Sequence, residues 1–436
     1  MSVLTHQNLP QDSNRWFPLP EQVLSHKKIQ EYQTDRHRYK TVHAGRRSFK
    51  TEIAKRTIVA CAMGKPKQSL FFGGPTRDQA KRIAWNDLKA LSPKWAIAEI
   101  SDGELWIRYK NGSEIWVIGF DAPARFDGKV WHGGILDEYA DMKPDVWTEH
   151  VEPALRDTRG WCWFIGVPEG KNHYYDLSIR AGSGELENWA DYSWLSEDVM
   201  HPEEIAEVKS QLDPRTYRQE YCGSFESYEG RLYCYYDSAI HRFELPVYRA
   251  LPIMVACDFN VDPCLWELGQ DTEKLTYFFD EIKQKQTDVF KMSIECKRRL
   301  IELLGSEETA RKHKIEFYGD WAGTGRNFNA TSSTWQIIKE QFHGWNTDYF
   351  LTSNPRIVDR VNSVNSRMRN AAGATRYGHS KRCIELHKDF EMVEMSDLRE
   401  SKNQAGERTH ASDSVGYLIH YRHPVMQKVT GEQFTK

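Results

Sequence analysis

The feature that most constrains the fold is a short loop at residues 43–51, which reads His-Ala-Gly-Arg-Arg-Ser-Phe-Lys-Thr. An extended run, Arg38 to Val42, precedes it, and apolar residues at helical spacing follow from Ile53. A strand, a tight loop ending in Lys-Thr and a helix are typical of a nucleotide phosphate cradle. There the backbone N–H groups and the helix N-terminus surround the phosphates, the lysine reaches the outer ones, and the threonine hydroxyl holds Mg²⁺.

The loop matches the pattern G-x-x-x-x-G-K-[ST] imperfectly. The two glycine positions of that pattern fall on Ala44 and Phe49, so only Gly45 remains where the backbone must bend sharply. An ordinary strand–turn–helix with basic surface residues therefore stays open as an alternative, and the rest of the chain has to decide between them.

Length and composition restrict the class of protein. A chain of 436 residues suits two or three domains, and 39% hydrophobic with 28% charged residues is usual for a globular protein. No apolar run approaches the roughly 20 residues of a membrane span, and the polar first residues predict no secretion signal. The eight cysteines contain no C-x-x-C pair and are expected to be reduced core thiols. A net charge of -3 means that any contact with nucleic acid must come from local patches.

The first half of the chain predicts a mostly parallel α/β sheet. Apolar strands alternate with helical patterns, and Thr76 is placed to cap the helix after the strand at 69–74. The dipeptide Asn111-Gly112 between two alternating runs predicts a β-hairpin. Ligands of such sheets bind at the carboxyl ends of the strands. We expect Lys50, Asp137 and Gly166 at that edge.

An aromatic, glycine-bearing stretch at about 213–237 looks like a connector, and a second α/β unit begins at Ile253. We expect further strands at 275–282 and 315–320 and a helix from about Thr409. The sequence shows no internal repeat and no low-complexity segment.

Three features of the first half have both a catalytic and a structural interpretation. Asp137 and Glu138 follow an apolar strand, where the aspartate can hold the metal of Mg-ATP and the glutamate can activate water. A strand end followed by a helix cap explains the same pair. Arg125 lies in a loop from which it can reach a γ-phosphate, although a loop arginine is more often solvated. Gly166, at the next strand end, is a candidate sensor of the phosphate state or simply part of a turn.

In the second half, Asp258, Asp320 and Asp413 lie at the ends of three separate elements. Clustered carboxylates are costly unless a divalent cation occupies them, and two Mg²⁺ or Mn²⁺ ions about 4 Å apart would suit a phosphodiester displacement. Each acid alone is explained equally by capping or by a salt bridge. Glu281 is a weaker fourth candidate.

Between these acids, Arg356, Arg360 and Arg367 share one helical face, and Arg376, Lys381 and Arg382 follow. That spacing predicts either a local basic surface for a phosphate backbone or a solvated helix face.

The order of these parts resembles the large terminase subunit of tailed bacteriophages over nearly the whole chain. The residues that carry the resemblance are Gly45 to Thr51, Leu136-Asp137-Glu138, Gly223-Ser224-Phe225 with Glu229-Gly230, Tyr318-Gly319-Asp320, Arg356-Ile357 with Val364-Asn365, and Thr409 to Asp413.

The resemblance implies an α/β protein with an N-terminal RecA/ASCE-like P-loop ATPase sheet and a C-terminal RNase H-like nuclease domain. The ATPase domain would span 1–220, including a lead segment at 1–40, the connector 221–245, and the nuclease 246–436. The family drives double-stranded DNA into a preformed capsid by ATP hydrolysis and cuts concatemeric DNA. The implied partners are double-stranded DNA, the small terminase subunit and the portal protein of the procapsid. The family also implies a homo-oligomeric ring during packaging, no membrane, and the host cytoplasm rather than the mature virion.

Carried over by position, the resemblance assigns roles to individual residues. ATP and Mg²⁺ would bind at the loop, with Mg²⁺ or Mn²⁺ at the nuclease site. The residues implied in nucleotide binding are Gly45, Arg46, Arg47, Ser48, Phe49, Lys50, Thr51 and Asp137. Glu138 would be the catalytic base, and Arg46, Arg47 or Arg125 would contact the γ-phosphate. The nuclease metal ligands would be Asp258, Asp320 and Asp413.

Two departures from the family pattern matter. Phe49 replaces the usual small residue before the lysine, which puts the aim of Lys50 in doubt. Asp127 stands where family members often have a second arginine, which leaves Arg125 as the preferred finger.

Two rival interpretations remain. A helicase-like ATPase fused to a nuclease, in DNA repair or restriction, needs a second RecA-type domain, and the roughly 85 residues between Gly166 and the second sheet are too few for one. A packaging scaffold with vestigial sites is favoured only by Phe49.

Overall fold

The computed structural model describes residues 19–123, 126–226, 230–259, 263–320, 333–350, 355–394 and 409–425. The chain divides into two compact units. Within the described ranges, unit 1 consists of 19–205 and 217–226, and unit 2 consists of 206–216 and the residues from 230 onward.

Unit 1 is built on an eight-stranded sheet with the strand order β3-β4-β5-β2-β6-β7-β1-β8. From β5 to β8 all neighbours are parallel, whereas β3, β4 and β5 pair antiparallel at one side. The predicted mostly parallel α/β sheet is therefore confirmed. The strands are β1 (Tyr39–His43), β2 (Ser69–Gly74), β3 (Ile97–Ser101), β4 (Trp106–Tyr109), β5 (Glu114–Gly119), β6 (Gly133–Asp137), β7 (Trp161–Gly166) and β8 (Trp189–Tyr192).

Helices of unit 1 pack on both faces of this sheet. The α-helices that begin before residue 220 are α1 (Glu21–Ser25), α2 (Lys27–Thr34), α3 (Lys50–Gly64), α4 (Arg77–Ala80), α5 (Asn86–Leu91), α6 (Glu152–Arg156), α7 (His173–Gly182), α8 (Pro202–Gln211) and α9 (Pro214–Cys222). Single turns of π-helix lie at Lys81–Trp85 and Val146–Val151, and of 3-10 helix at Tyr139–Asp141 and Ser196–Asp198.

Two local predictions in unit 1 are confirmed. The Thr76 hydroxyl accepts a hydrogen bond from the Gln79 N–H and so caps α4. Strands β4 and β5 form the predicted hairpin, with Gly112 at φ 82° in its turn. Strand β3 was not predicted, because its middle residues are exposed and leave no apolar alternation to detect.

Unit 2 contains a six-stranded mixed sheet with the order β13-β12-β9-β10-β11-β14. Strands β9, β10 and β11 form an antiparallel meander, and β12, β13 and β14 add in parallel. The strands are β9 (Ile253–Cys257), β10 (Cys264–Asp271), β11 (Thr276–Gln284), β12 (Ile315–Gly319), β13 (Thr347–Phe350) and β14 (Tyr377–His379). The helices are α10 (Ser238–His241), α11 (Val289–Leu304), α12 (Glu307–Lys312), α13 (Thr334–Gln341), α14 (Ile357–Met368), α15 (Ile384–Met392) and α16 (His410–Arg422).

Both sheets are buried on both faces, so successive strand residues enter opposite cores. Along β2, Leu70 and Phe72 pack with the α3 side, whereas Phe71 packs on the other side. Along β9, Met254 faces the α14 and α16 side and Val255 faces the α11 side. Continuous apolar strands of this kind are expected in parallel sheets covered by helices.

A buried carboxylate ties the end of β10 to the end of α16. The side chain of Asp271 is 2% exposed and pairs with Arg422 Nε at 2.8 Å and His423 Nε2 at 3.0 Å, and Arg367 lies 3.7 Å away. Burial alone would raise the pKa of Asp271, but hydrogen bonds from His423 and Thr276 outweigh it and lower that pKa from 3.8.

We expect Asp271→Asn to lower the free energy of unfolding at pH 7 by about 3–5 kcal/mol, because it leaves buried cations uncompensated. A carboxyl with a lowered folded-state pKa stabilises above its unfolded pKa, and this contribution disappears as the pH falls through the folded value. The difference between wild type and variant, measured by urea unfolding, should therefore shrink below pH 3.8.

The matched control is Asp348→Asn, since Asp348 pairs with Lys314 and has a side chain 51% exposed. Its loss should cost less than about 1 kcal/mol. Equal costs for the two variants would contradict the role given to the Asp271 cluster.

Candidate functional site

The loop between β1 and α3 reaches its conformation without a glycine before the lysine. Phe49 has φ 65° and Arg47 has φ 56°, and α3 begins at Lys50. A left-handed conformation costs a residue other than glycine about 1–2 kcal/mol. Phe49 is partly buried against the core beneath α3. The sequence departure at Phe49 thus leaves the turn into the helix in place.

Gly45 is required by close approach of the chain. A Cβ atom at this position would lie 2.3 Å from Ser196 Oγ and 2.4 Å from the Tyr221 carbonyl oxygen. Both distances are far below a van der Waals contact, so the loop can pass here only without a side chain.

Neighbouring segments hold the loop through its backbone. Trp194 Nε1 donates to the Ser48 carbonyl at 2.9 Å, and Ser196 Oγ donates to the Arg46 carbonyl at 2.6 Å. The Arg46 N–H donates to the Glu220 carbonyl at 2.6 Å. These bonds fix the loop from two sides.

The structure brings four of the predicted residues together at the end of β6. Lys50 Nζ donates to the Gly45 carbonyl at 3.2 Å and is buried. Thr51 Oγ1 donates to Asp137 Oδ1 at 3.3 Å, and the Glu138 N–H donates to the same oxygen at 3.0 Å. A lysine, a hydroxyl and two carboxylates therefore meet where the loop turns into α3.

Burial dominates the electrostatics of this cluster. It lowers the pKa of Lys50, and the charges of Glu138 and Asp137 counteract that fall. Burial also raises the pKa of Asp137 to about 7, and the Glu138 charge adds to the rise. Two carboxylates share one buried lysine here, and the raised pKa of Asp137 shows that the cluster favours an additional positive charge, either a proton or a metal cation.

The strand register places the other predicted end residues beside this cluster. Asp137 pairs with Ile165 in the parallel β6–β7 ladder, so Gly166 follows at the same edge. A Cβ at Gly166 would lie 3.3 Å from the Glu138 Cα. Glu138 itself has φ 54°, an uncommon conformation for a glutamate. Lys50, Asp137 and Gly166 thus lie at one sheet edge, as expected.

The three candidate arginines differ in placement. Arg46 forms an ion pair with Glu220 of α9, and Arg47 is exposed. Arg125 lies outside the described residues, as does Glu229 of the connector. The sequence alone did not indicate that Glu220 pairs with Arg46, because a glutamate in a helix carries no local signal for a partner in a distant loop.

We expect Gly45→Ala to lower the free energy of unfolding by about 1–3 kcal/mol, because the added methyl group overlaps a backbone carbonyl. Urea unfolding of the full chain measures this cost. Gly103→Ala is the matched control, since a Cβ there meets no atom within 4 Å, and it should change stability by less than about 0.5 kcal/mol. Equal stability of the two variants would show that the loop can move away.

In unit 2, two of the three candidate acids leave the sheet at one edge. Asp258 follows β9 and Asp320 follows β12, and these strands are parallel neighbours with Cys257 opposite Gly319. Asp413 lies in the first turn of α16, which packs on β9, β10 and β12.

Tyr417 lies one turn after Asp413 on α16, and the charges of all three acids affect the pKa of its hydroxyl group. Burial raises the pKa of Tyr417 to about 12, and the charges of Asp320, Asp413 and Asp258 add to the rise. The charges of all three predicted acids therefore act on one half-buried phenol ring.

Two of these carboxylates have cationic partners. Arg360 Nη2 donates to Asp413 Oδ1 at 2.8 Å, and His410 Nδ1 lies 3.1 Å from Asp258 Oδ2. Burial raises the pKa of Asp413, Arg360 opposes that rise, and the Asp258 charge adds to it. The hydrogen bond with Asp258 raises the pKa of His410.

Carboxylate oxygens are ligands that suit Mg²⁺ and Mn²⁺, so the chemistry of the three acids fits a divalent cation. As placed in the described residues, however, no group of three or more His, Cys, Asp or Glu side chains closes around an ion. Carboxylates that suit a divalent cation are present, and two of them pair with Arg360 and His410.

Glu281 serves a different element. Its carboxylate accepts the N–H groups of Glu385 and Leu386 at 2.9 and 3.0 Å and so caps α15. Burial raises the pKa of Glu281 and, well above its usual range, that of the neighbouring Glu267.

For Arg360 and Arg367, both predicted alternatives, a basic surface and a solvated helix face, are wrong. Arg360 and Arg367 are each only 5% exposed, and Arg356 pairs with Asp359 at the start of the helix. Helical spacing showed that the arginines share a face. It could not show that this face points inward, towards α16 and β10.

The sequence is similar to those of known phage proteins. No protein-family model matches the sequence. Over 312 residues the chain is 25% identical to the large terminase subunit of Thermus phage G20c, covering 63% of this chain and 62% of that protein. Over 212 residues it is 23% identical to that of Escherichia phage T5, covering 47% and 48%. The chain thus spans less than two thirds of the length of these relatives.

The fold is similar to that of solved large terminase structures. A large terminase from a thermophilic bacteriophage matches with a TM-score of 0.58 at 15% identity, covering 93% of this chain and 99% of that one. The same protein in complex with ATP-gamma-S matches with a TM-score of 0.57 at 14% identity, covering 92% and 99%. The resemblance to large terminase subunits is confirmed.

Among the described helices, none has the length and apolar character to span a membrane.

Proposed function

We propose that this chain is the ATP-hydrolysing and DNA-cutting subunit of a viral DNA-packaging motor. The observation that carries the proposal is the contact between Thr51 and Asp137 beside the buried Lys50. It joins the loop, the start of α3 and the end of β6 into one site of the kind that binds a nucleotide phosphate. The similarity to large terminase subunits supports it.

In the proposed ATPase site, ATP lies on the loop at residues 45–51. Lys50 neutralises the outer phosphates, and Thr51 and Asp137 would hold Mg²⁺, which supplies charge neutralisation on the phosphate oxygens. Glu138 orients the attacking water and accepts its proton. The oxygens of Thr51 and Asp137 already lie 3.3 Å apart, which suits two ligands of one ion. The ATP-gamma-S and ADP complexes of the thermophilic phage terminase support nucleotide binding here.

In the proposed ATPase site, an arginine contacts the γ-phosphate. Arg46 and Arg47 are in the loop itself, and Arg125 remains the preferred finger for the γ-phosphate. A guanidinium adds donors in a planar fork that matches phosphate oxygens and stabilises charge in the transition state.

In the proposed nuclease site, Asp258, Asp320 and Asp413 would hold Mg²⁺ or Mn²⁺. The bound ions would supply a water of lowered pKa and neutralise charge on the phosphodiester. Support comes from the shared edge of β9 and β12, from the packing of α16 on both strands, and from the charges of all three acids acting on Tyr417. We place an RNase H-like nuclease domain at 246–436, after a RecA/ASCE-like ATPase domain at 1–220 and a connector at 221–245.

The remaining partners follow from the same proposal. The substrate is concatemeric double-stranded DNA, and translocation into the procapsid needs the portal protein and the small terminase subunit. We propose a homo-oligomeric ring on the procapsid in the host cytoplasm.

The first test separates the two activities at the loop. Lys50→Ala should lower ATP hydrolysis at least about 100-fold, because it removes the buried charge that faces the phosphates, and should leave plasmid cutting in Mn²⁺ unchanged. Lys55→Ala is a control on the same helix, where the lysine pairs with Glu52 and Asp87 instead. Normal hydrolysis by Lys50→Ala would overturn the proposed ATPase site.

The second test addresses the acids. Asp320→Asn should abolish plasmid cutting in Mg²⁺ and in Mn²⁺ while ATP hydrolysis continues, since the two sites use separate residues. Asp348→Asn, on the neighbouring strand β13, is the control and should cut normally. If Asp320→Asn cuts as well as wild type, the three-acid assignment is wrong and only the ATPase half of the proposal survives.

A further inference from the structure

The arginine next to Asp413 is more buried than a surface ion pair requires. Arg360 projects from α14 towards α16, is 5% exposed, and donates through Nη2 to Asp413 Oδ1 at 2.8 Å. Its guanidinium carbon lies 4.2 Å from the centre of the Tyr417 ring. The other terminal nitrogen, Nη1, is also buried and makes no hydrogen bond to any described residue.

The position of this guanidinium conflicts with a cation on Asp413. It occupies one carboxylate oxygen and places a full positive charge within a few ångströms of the other. In a partly buried site, where water screens charges less than in bulk solvent, like charges at such distances repel strongly. A divalent ion and an unmoved Arg360 are therefore poor neighbours.

Arg360 also supplies positive charge to the acid cluster. Three carboxylates whose charges act on one half-buried ring are costly to hold near each other without positive charge, and the buried guanidinium beside Asp413 reduces that cost. The unpaired Nη1 shows that the guanidinium is only partly satisfied where it is, so its departure from Asp413 breaks few bonds.

We propose that Arg360 is a built-in competitor of the catalytic metal, which neutralises Asp413 until a divalent cation displaces it. This inference rests on the proposed nuclease function of Asp258, Asp320 and Asp413. If Arg360 competes in this way, the site binds metal more weakly than the three acids would without the arginine.

A purely structural role for Arg360 makes the opposite prediction. If the arginine only orients Asp413, its removal loosens a ligand and weakens metal binding. If it competes with the metal, its removal strengthens metal binding. The sign of the change separates the two roles.

The test is calorimetric titration of the full chain with Mn²⁺ in the absence of DNA. Arg360→Met keeps the apolar stem over Tyr417 and removes the charge, and the apparent dissociation constant should fall on the order of tenfold, the usual size of a coupling between two sites. Arg367→Met is the matched control on the same helix. That arginine is equally buried but lies near Asp271 and contacts the Thr272 and Glu273 carbonyls, so its loss should leave the Mn²⁺ affinity unchanged.

Arg360→Lys carries the test if the methionine variant does not fold. It keeps the buried charge and loses the planar fork that fits a carboxylate, so it should bind Mn²⁺ more tightly than wild type by a smaller factor. Unchanged or weaker binding in the folded variants would overturn the inference.

The proposed function fails in a distinguishable way. If wild type binds no Mn²⁺ and Asp320→Asn changes nothing, the nuclease site and the inference fail together. If wild type binds Mn²⁺, Asp320→Asn loses it, and Arg360→Met binds no more tightly, the nuclease site stands and only the competition by Arg360 is wrong.

Discussion

Parallel strand pairing is the constraint on which both candidate sites depend. In a parallel ladder the residues after two neighbouring strands leave the sheet at the same edge. The ladder of β6 with β7 brings Gly166 to Glu138 in unit 1, and that of β9 with β12 brings Asp258 and Asp320 out together in unit 2. In each unit a helix N-terminus then adds the remaining group, Lys50 from α3 or Asp413 from α16. Each candidate site therefore combines residues from distant parts of the sequence.

Burial of charge gives both sites their electrostatic character. Lys50 and Asp137 are almost fully buried in unit 1, and in unit 2 the buried Arg360 pairs with the half-buried Asp413. Charges held away from water interact strongly and are expensive to leave unpaired. In unit 1 a lysine and a hydroxyl accompany the carboxylates, whereas in unit 2 an arginine and a histidine do so. Each set of acids therefore carries its own positive partners.

Sequence reasoning recovered the elements whose signals are local. The parallel sheet, the hairpin at Asn111-Gly112 and the Thr76 cap follow from periodicity, turn chemistry and capping, all of which act over a few residues. Strand β3 escaped because an exposed edge strand shows no apolar alternation. The candidate acids could be predicted because each ends an apolar strand or begins a helix. The ion pairs of Arg46 with Glu220, His410 with Asp258 and Arg360 with Asp413 could not be predicted, since an ion pair across the fold leaves no trace in the spacing of either residue. The inward face of α14 was likewise decided by packing, which the sequence does not display.

The indole of Trp194 gives the loop an optical reporter. Its Nε1 has a single hydrogen to donate, and that hydrogen goes to the Ser48 carbonyl inside the loop at 2.9 Å. Any rearrangement of the loop that moves this carbonyl must break or re-aim the bond of a ring that is 2% exposed. Emission from this one tryptophan, isolated by comparison with a Trp194→Phe protein, therefore follows the state of the loop in solution without an attached dye.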